Sequence, residues 1–327
     1  MIDDRRRINP PSGGTSAPVF ARTVKEPEYL PSLRPTRERG PNDLRKIFLQ
    51  TGIVPSASGS AYLEIPITQS KTTSLIPPRS SLKIACAVHG PKPLPRSAPF
   101  SPHLLLTTTV KFAPFATRNR RGYIRDSAER DLGVHLETAL RGVLIGERWP
   151  KSGVEVIVTI IEGDEDAWWG DSFEGGRGGA GGGWGLLNVL AGCITVASAA
   201  IADAEIDCVD MVSGGVAAVV QDQENGKEAS RLVVMDPCPS EHRDILAACV
   251  VGYLPSRDEI TELWFKGDAG APPEELIEKA THAAAASMSV LREVVLEAVQ
   301  AKFQGQLPEF KGKSKRKNDQ PDVEMTG

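Results

Sequence analysis

Apolar and polar positions alternate along two early stretches, "SAYLEIPIT" (60–68) and "SSLKIACAVHG" (80–90), and that period of two predicts β-strands. A third strand is predicted over "HLLLTTTVKFAP" (103–114), where β-branched residues are enriched. The intervening "PKPLPRSAPFSP" (91–102) holds too many prolines for a helix or an interior strand and is expected to loop out. The period then lengthens. In "RDSAERDLGVHLETALRGVL" (125–144), Ala128, Leu132, Leu136 and Leu140 recur every four residues, on one face of a helix that Asp126 can cap.

The second half continues the mixture. "GVEVIVTIIEG" (153–163) is apolar on both faces toward its end and is expected inside a sheet. "LLNVLAGCITVASAAIADA" (186–204) reads as a helix whose small residues let a neighbour approach closely. "MVSGGVAAVVQD" and "KEASRLVVMD" read as paired strands joined by "QENG", with Asn225-Gly226 favouring a tight turn. A last helix is predicted from about Pro273 to Phe303, with Ile277, Ala280, Ala284, Met288, Leu291 and Val295 as its buried stripe. Three strands, helix, strand, helix, strands, helix is neither strict βαβ alternation nor all-β. It predicts an α+β domain of mixed sheets with helices packed on them.

Composition narrows the classes. The chain has 327 residues, 40% hydrophobic and 24% charged, enough to bury a sizeable core. Its formal net charge of −4 means that any contact with nucleic acid must come from a local patch. No uninterrupted apolar run reaches the ~18 residues of a membrane span, and the N-terminus lacks the apolar core of a secretory signal. The 5 cysteines are scattered without a CxxC, as expected of reduced thiols. Cys238 and His242 have the spacing of half a metal site, but no second half follows. Residues 1–27 are expected to be a loose arm, 28–303 the domain, and 304–327 a polar tail. The tail's "KSKRK" reads either as a nuclear address or as a solvated run.

One insert, about 164–184, lies between a strand and a helix, where glycine-rich turns cradle phosphates. Gly176, Gly178 and Gly181 spell GxGxxG there. The segment is nevertheless long, lacks lysine, and carries Trp168, Trp169 and a run of acids including Asp164, Glu165 and Asp166. Negative charge repels phosphate, so a loose surface insertion is expected.

Seven pieces, in chain order, resemble the RNase PH family: "GSAYLE" (59–64), "VHGPKP" (88–93), "FATRNRRGYIRDSAERDLGVHLETALRGVL" (115–144), "VEVIVTIIEGDED" (154–166), "ITVASAAIADAEI" (194–206), "MVSGGVAAVV" (211–220) and "VVMDPCPSE" (233–241). The resemblance covers roughly residues 30–303. It implies an RNase PH-like α+β fold of the ribosomal protein S5 domain 2-like kind. Family enzymes degrade RNA from its 3′ end with inorganic phosphate as nucleophile. They imply a Thr-Arg-type phosphate grip near the start of the alanine-rich helix, and two carboxylates about six residues apart on a late strand and turn.

Here Leu190 and Ala191 fall at the grip, and "GLLNVLAG" (185–192) contains no Arg, Lys, Ser or Thr. Burying an unpaired phosphate there is costly. Asp236 matches one carboxylate, and the residue six on is His242, with Glu241 beside it. The expectation is a degenerate site without phosphate grip, catalytic residues, metal or cofactor. Arg118, Arg120, Arg121 and Arg125 match a loop that lines the family's RNA path; they are either a solvated helix entrance or RNA-phosphate contacts, and no aromatic platform is evident beside them.

The resemblance is strongest to non-catalytic ring subunits of the eukaryotic RNA exosome. It implies a hetero-hexameric ring with other RNase PH-like chains, S1/KH-type cap proteins, and RNA threaded through a central channel. The implied setting is rRNA maturation, RNA surveillance and mRNA turnover in nucleus, nucleolus and cytoplasm, with no membrane. An active phosphate-dependent 3′–5′ exoribonuclease and a nucleotide enzyme using the glycine-rich loop remain as alternatives.

Overall fold

The computed structural model describes residues 35–66, 81–118, 120–166, 168, 183–222, 230–242, 244–268 and 273–306. The expected arm, the "QENG" turn, the GxGxxG glycines and the tail beyond 306 lie outside them. One sheet has the order β1 (Phe48–Thr51), β2 (Gly59–Ile65), β3 (Leu82–Pro93), β5 (Ser152–Glu162), β4 (Leu105–Phe112). Its neighbours are antiparallel except β4 and β5. A parallel pair needs a crossover, and α1 (Ser127–Arg141) supplies it. The second sheet, β7 (Ser230–Met235), β6 (Ser213–Asp222), β8 (Ile245–Leu254) and β9 (Glu259–Gly267), is antiparallel throughout.

Asp126 caps α1 in a full capping box with Glu129. Glu129 is itself buried because its second oxygen accepts the Phe112 N–H at 2.8 Å, tying the helix start to the end of β4. Leu132, Leu136 and Leu140 are buried as the spacing predicts, while Ala128 is only half-buried.

α2 (Gly185–Asp203) lies against β2 and β3 on one side and β6 and β8 on the other. By length and composition it could cross a membrane, but it is the buried central helix. Its small side chains set the spacing. A Cβ on Gly214 would lie 2.4 Å from the Ala191 backbone, and one on Gly59 would lie 2.3 Å from the Ala204 nitrogen. Both positions therefore need glycine for close approach. α3 (Pro273–Gln306) covers β6 and β8, burying Ala280, Ala284, Met288 and Leu291, with Ile277 and Val295 at the margins.

Two expectations need correction. β3 does not stop at Gly90 but runs through "PKP" to Pro93, which pairs with Ser152. Pro91 falls in the register irregularity between His89 and Lys92, where the ladder does not ask for its missing N–H. In addition, β1, β8 and β9 were not predicted as strands.

Candidate functional site

The positions expected to grip phosphate lie in packed core. Leu190 is fully buried, and Ala191 is 8% exposed with its backbone against Gly214. The N-terminus of α2 is already served by the protein's own carboxylates. Asp166 accepts the Gly185 N–H at 3.0 Å, and Asp164, just beyond β5, accepts Asn188 Nδ2 at 2.9 Å. The reading of 164–184 as a loose insertion thus fails at its start. Asp164 and Trp168 are buried, and Glu165 accepts the Arg118 backbone N–H at 2.5 Å. These acids face donors on α2 and the β4–α1 loop instead of solvent.

Asp236 follows β7 directly, with φ of 48°, a left-handed conformation that aspartate tolerates better than most residues. Its carboxylate accepts the backbone N–H of Arg45 at 2.8 Å, Arg45 Nε at 2.9 Å, Arg45 Nη2 at 2.7 Å and Arg39 Nη1 at 3.4 Å. Arg45 reaches on to Asp164 at 3.1 Å, and Arg39 to Glu241 at 2.8 Å. The segment carrying these arginines is pinned across the end of β7. Arg37 donates to the carbonyls of Met235 (2.9 Å) and Asp236 (3.3 Å), and the Met235 N–H donates to Pro41 O at 2.8 Å.

Burial alone would raise the Asp236 carboxyl, but the charge and hydrogen bonds of Arg45, then the charge of Arg39, outweigh it and bring it down to about 2. Burial likewise opposes the charge of Arg45, yet Asp164 and Asp236 hold its guanidinium protonated well above the ordinary range. A carboxylate held this way is a poor proton acceptor at neutral pH, and its lone pairs are committed. Glu241, paired with Arg39, and His242 are buried as well. A cavity of about 40 Å³, bounded by Arg45, Asn188, Ala191, Thr195 and Asp236, has room for a few waters. Arg37, Arg39, Arg45 and Asn188 were all missed from sequence. The arginines stand roughly two hundred residues from Asp236, beyond any motif spacing; Asn188, a lone amide among apolar neighbours, was the one local signal.

The four expected RNA-contact arginines share the loop between β4 and α1 but differ in state. Arg121 is committed: it pairs with Asp126 at 2.6 Å, donates to Thr117 Oγ1 at 3.3 Å, and lies 4.6 Å from the Phe112 ring centre. Arg120 is exposed, Arg118 and Arg125 are half-buried, and none of the three forms a salt bridge among the described residues. Arg125 Nε is buried without a hydrogen-bond partner. The Arg121 N–H donates to Pro114 O at 3.1 Å and closes the loop on itself. Two aromatic residues of this loop are exposed, Phe115 at 74% and Tyr123 at 59%. Aromatic residues usually go to the core, so sequence alone did not mark these two as surface groups.

Two sheets around a small-residue helix, with acids at the ends of a central and a late strand, define an α+β protein of the RNase PH-like fold. The crystal structure of rice Rrp46 shares this fold, with a TM-score of 0.55 at 17% identity, over 79% of this chain and 98% of that one. Residues 43–207 match the RNase PH 3′ exoribonuclease family, domain 1. The chain is 53% identical to exosome complex component MTR3 of Chaetomium thermophilum, across 91% of this chain and 100% of that protein. It is 28% identical to the Schizosaccharomyces pombe mtr3 component (81% and 85% covered) and 26% identical to the human MTR3 component (83% and 85%). The chain belongs to the RNase PH 3′ exoribonuclease family.

Proposed function

We propose that this chain is a non-catalytic subunit of an RNA exosome ring, one wall of a channel through which RNA passes to a nuclease elsewhere. Its partners are other RNase PH-like chains in a hetero-hexamer and S1/KH-type cap proteins. Its setting is RNA processing and turnover in nucleus, nucleolus and cytoplasm. The likeness to exosome components along nearly the whole chain supports ring membership. One observation carries the non-catalytic part: Asp236, the family-matched carboxylate, is saturated by Arg45 and Arg39 while Leu190 and Ala191 are packed away. Phosphate arriving there would find its arginine donors already spent on carboxylates. Among the arginines, Arg118 and Arg120 are the ones available to RNA phosphates; Arg121 braces the loop, and Arg125 folds back over Gly133 with its Nε buried.

Mass spectrometry of proteins co-purifying with the tagged chain tests ring membership: five further RNase PH-like chains are expected, and their absence refutes it. The competing nuclease reading draws support from the family's description as 3′ exoribonucleases and from Asp236. It is tested by incubating the purified chain with RNA and phosphate. No nucleoside diphosphate release is expected; release abolished by Asp236→Asn establishes the nuclease instead.

A further inference from the structure

We propose that the loop between β4 and α1 is a base-stacking platform for single-stranded RNA, in which Phe115 and Tyr123 hold bases while Arg118 and Arg120 hold the backbone. This rests on the reading above in taking RNA as the polymer that passes this chain. Within about ten residues, the loop exposes Phe115 (74%), Tyr123 (59%) and Ile124 (55%) beside three arginines without salt bridges. Single exposed apolar residues are ordinary, but flat rings interleaved with arginines that form no salt bridge are not.

The loop's internal bonds close and brace the segment that carries these groups. The Arg121 N–H to Pro114 O bond closes a turn that contains Phe115, and Tyr123 follows two residues after its end. Arg121 itself, held by Asp126 and Phe112, stiffens that turn. Lys111 Nζ donates to the Tyr123 backbone carbonyl at 2.8 Å and adds positive charge to the same loop. A Cβ at Gly122 would meet nothing within 4 Å, so the space next to Tyr123 is open.

The chemistry of the partner follows. An apolar protein patch would cover the rings but strip water from the arginines without supplying counter-charge. An acidic peptide would match the charges but not the rings. A chain of phosphates carrying flat bases satisfies both, and stacking tolerates any base because each has a π face. The contact is therefore sequence-tolerant but needs bases, unlike a purely phosphate-directed one.

The test is fluorescence anisotropy of the full chain with two probes: an oligouridine of roughly ten nucleotides and an abasic strand of equal charge. Phe115→Ala and Tyr123→Ala are each expected to weaken oligouridine binding roughly tenfold and to leave the abasic strand unaffected. Phe115→Trp is expected to retain wild-type affinity. Arg120→Gln is expected to weaken both probes alike. All sit at exposed positions, so unchanged thermal melts are the folding control. Wild-type oligouridine affinity in both alanine variants overturns the proposal, as does equal loss on both probes. A loss of co-purifying RNase PH-like chains with RNA affinity intact shows that the rings meet protein, and also overturns it. If Arg118→Gln and Arg120→Gln are silent as well, or the chain binds neither probe, the RNA reading of the whole loop falls; if only the aromatic variants are silent, stacking alone falls. Ring membership stands or falls separately on the co-purification.

Discussion

Two arginine-bearing regions of this molecule treat the same charge in opposite ways. Around Asp236, the buried Arg45 and the half-buried Arg39 are spent on Asp164, Asp236 and Glu241. In the loop between β4 and α1, Arg118, Arg120 and Arg125 reach the surface or its margin with no salt bridge among the described residues. A guanidinium suits carboxylate and phosphate equally well. What differs is whether the protein supplies the anion itself. At Asp236 it does; among the described residues of the loop it does so for Arg121 alone, and RNA phosphates are the proposed anions for Arg118 and Arg120. The first arrangement joins β5, β7 and α2 through one connected set of bonds. The second ties no such set of elements together through Arg118 or Arg120 salt bridges among the described residues.

Removing one partner from each region sharpens the contrast most. Arg45→Met leaves Asp164, whose side chain is 0% exposed, and the largely buried Asp236 without their main counter-ion. Stranding buried charge this way costs about 3–5 kcal/mol. Urea denaturation should show that loss for Arg45→Met, and a change within about 0.5 kcal/mol for Arg120→Gln. Equal effects would mean that the two regions do not differ as described.

Acid provides a second, smaller separation. Because Asp236 is depressed to about 2 when folded, its stabilising contribution is complete above the unfolded carboxyl value of about 3.9 and disappears as pH falls toward 2. That contribution is roughly 2 kcal/mol. Asp236→Asn should flatten this part of a pH–stability curve, whereas Arg118→Gln or Arg120→Gln should leave its shape unchanged. A wild-type curve already flat between about pH 4 and 2 would contradict the ion network.

The same contrast explains what could be read from sequence. α1, α2, α3 and strands β2 to β7 each carry a local period, cap or turn residue, and they were predicted close to their observed places. β1 has only four residues, too few to establish a period. β8 is an almost continuous run of small and apolar residues that suits a buried strand or helix equally. β9 is an edge strand with both faces partly exposed, Leu263 and Phe265 on one side and Glu262 and Lys266 on the other, so its alternation is blurred. At the site, Leu190, Ala191 and Asp236 were legible through resemblance. The partners of Asp236 were not, because Arg45 lies 191 residues away and only the folded chain brings the two together. The exposure of Phe115 and Tyr123 is likewise a property of the fold and not of the local pattern.

The smallest expected effect on the fold is also the most selective. Salt screens charges in water but acts weakly on pairs sealed from it. Raising salt from about 0.05 to 0.5 M should therefore scarcely move the thermal midpoint, because the Arg45 and Asp164 side chains are 5% and 0% exposed. Over the same range the loop's affinity for oligouridine should fall log-linearly, since each phosphate contact releases counter-ions. Arg120→Gln should reduce that slope by about 0.7, the single-strand value for one lost contact, while leaving the midpoint in place. Phe115→Ala should do the reverse of a charge change, lowering affinity at every salt concentration with the slope preserved, because stacking releases no ions. A midpoint that drops steeply with salt would place the Asp236 network in water; a slope unaltered by Arg120→Gln would mean that this arginine never meets a phosphate.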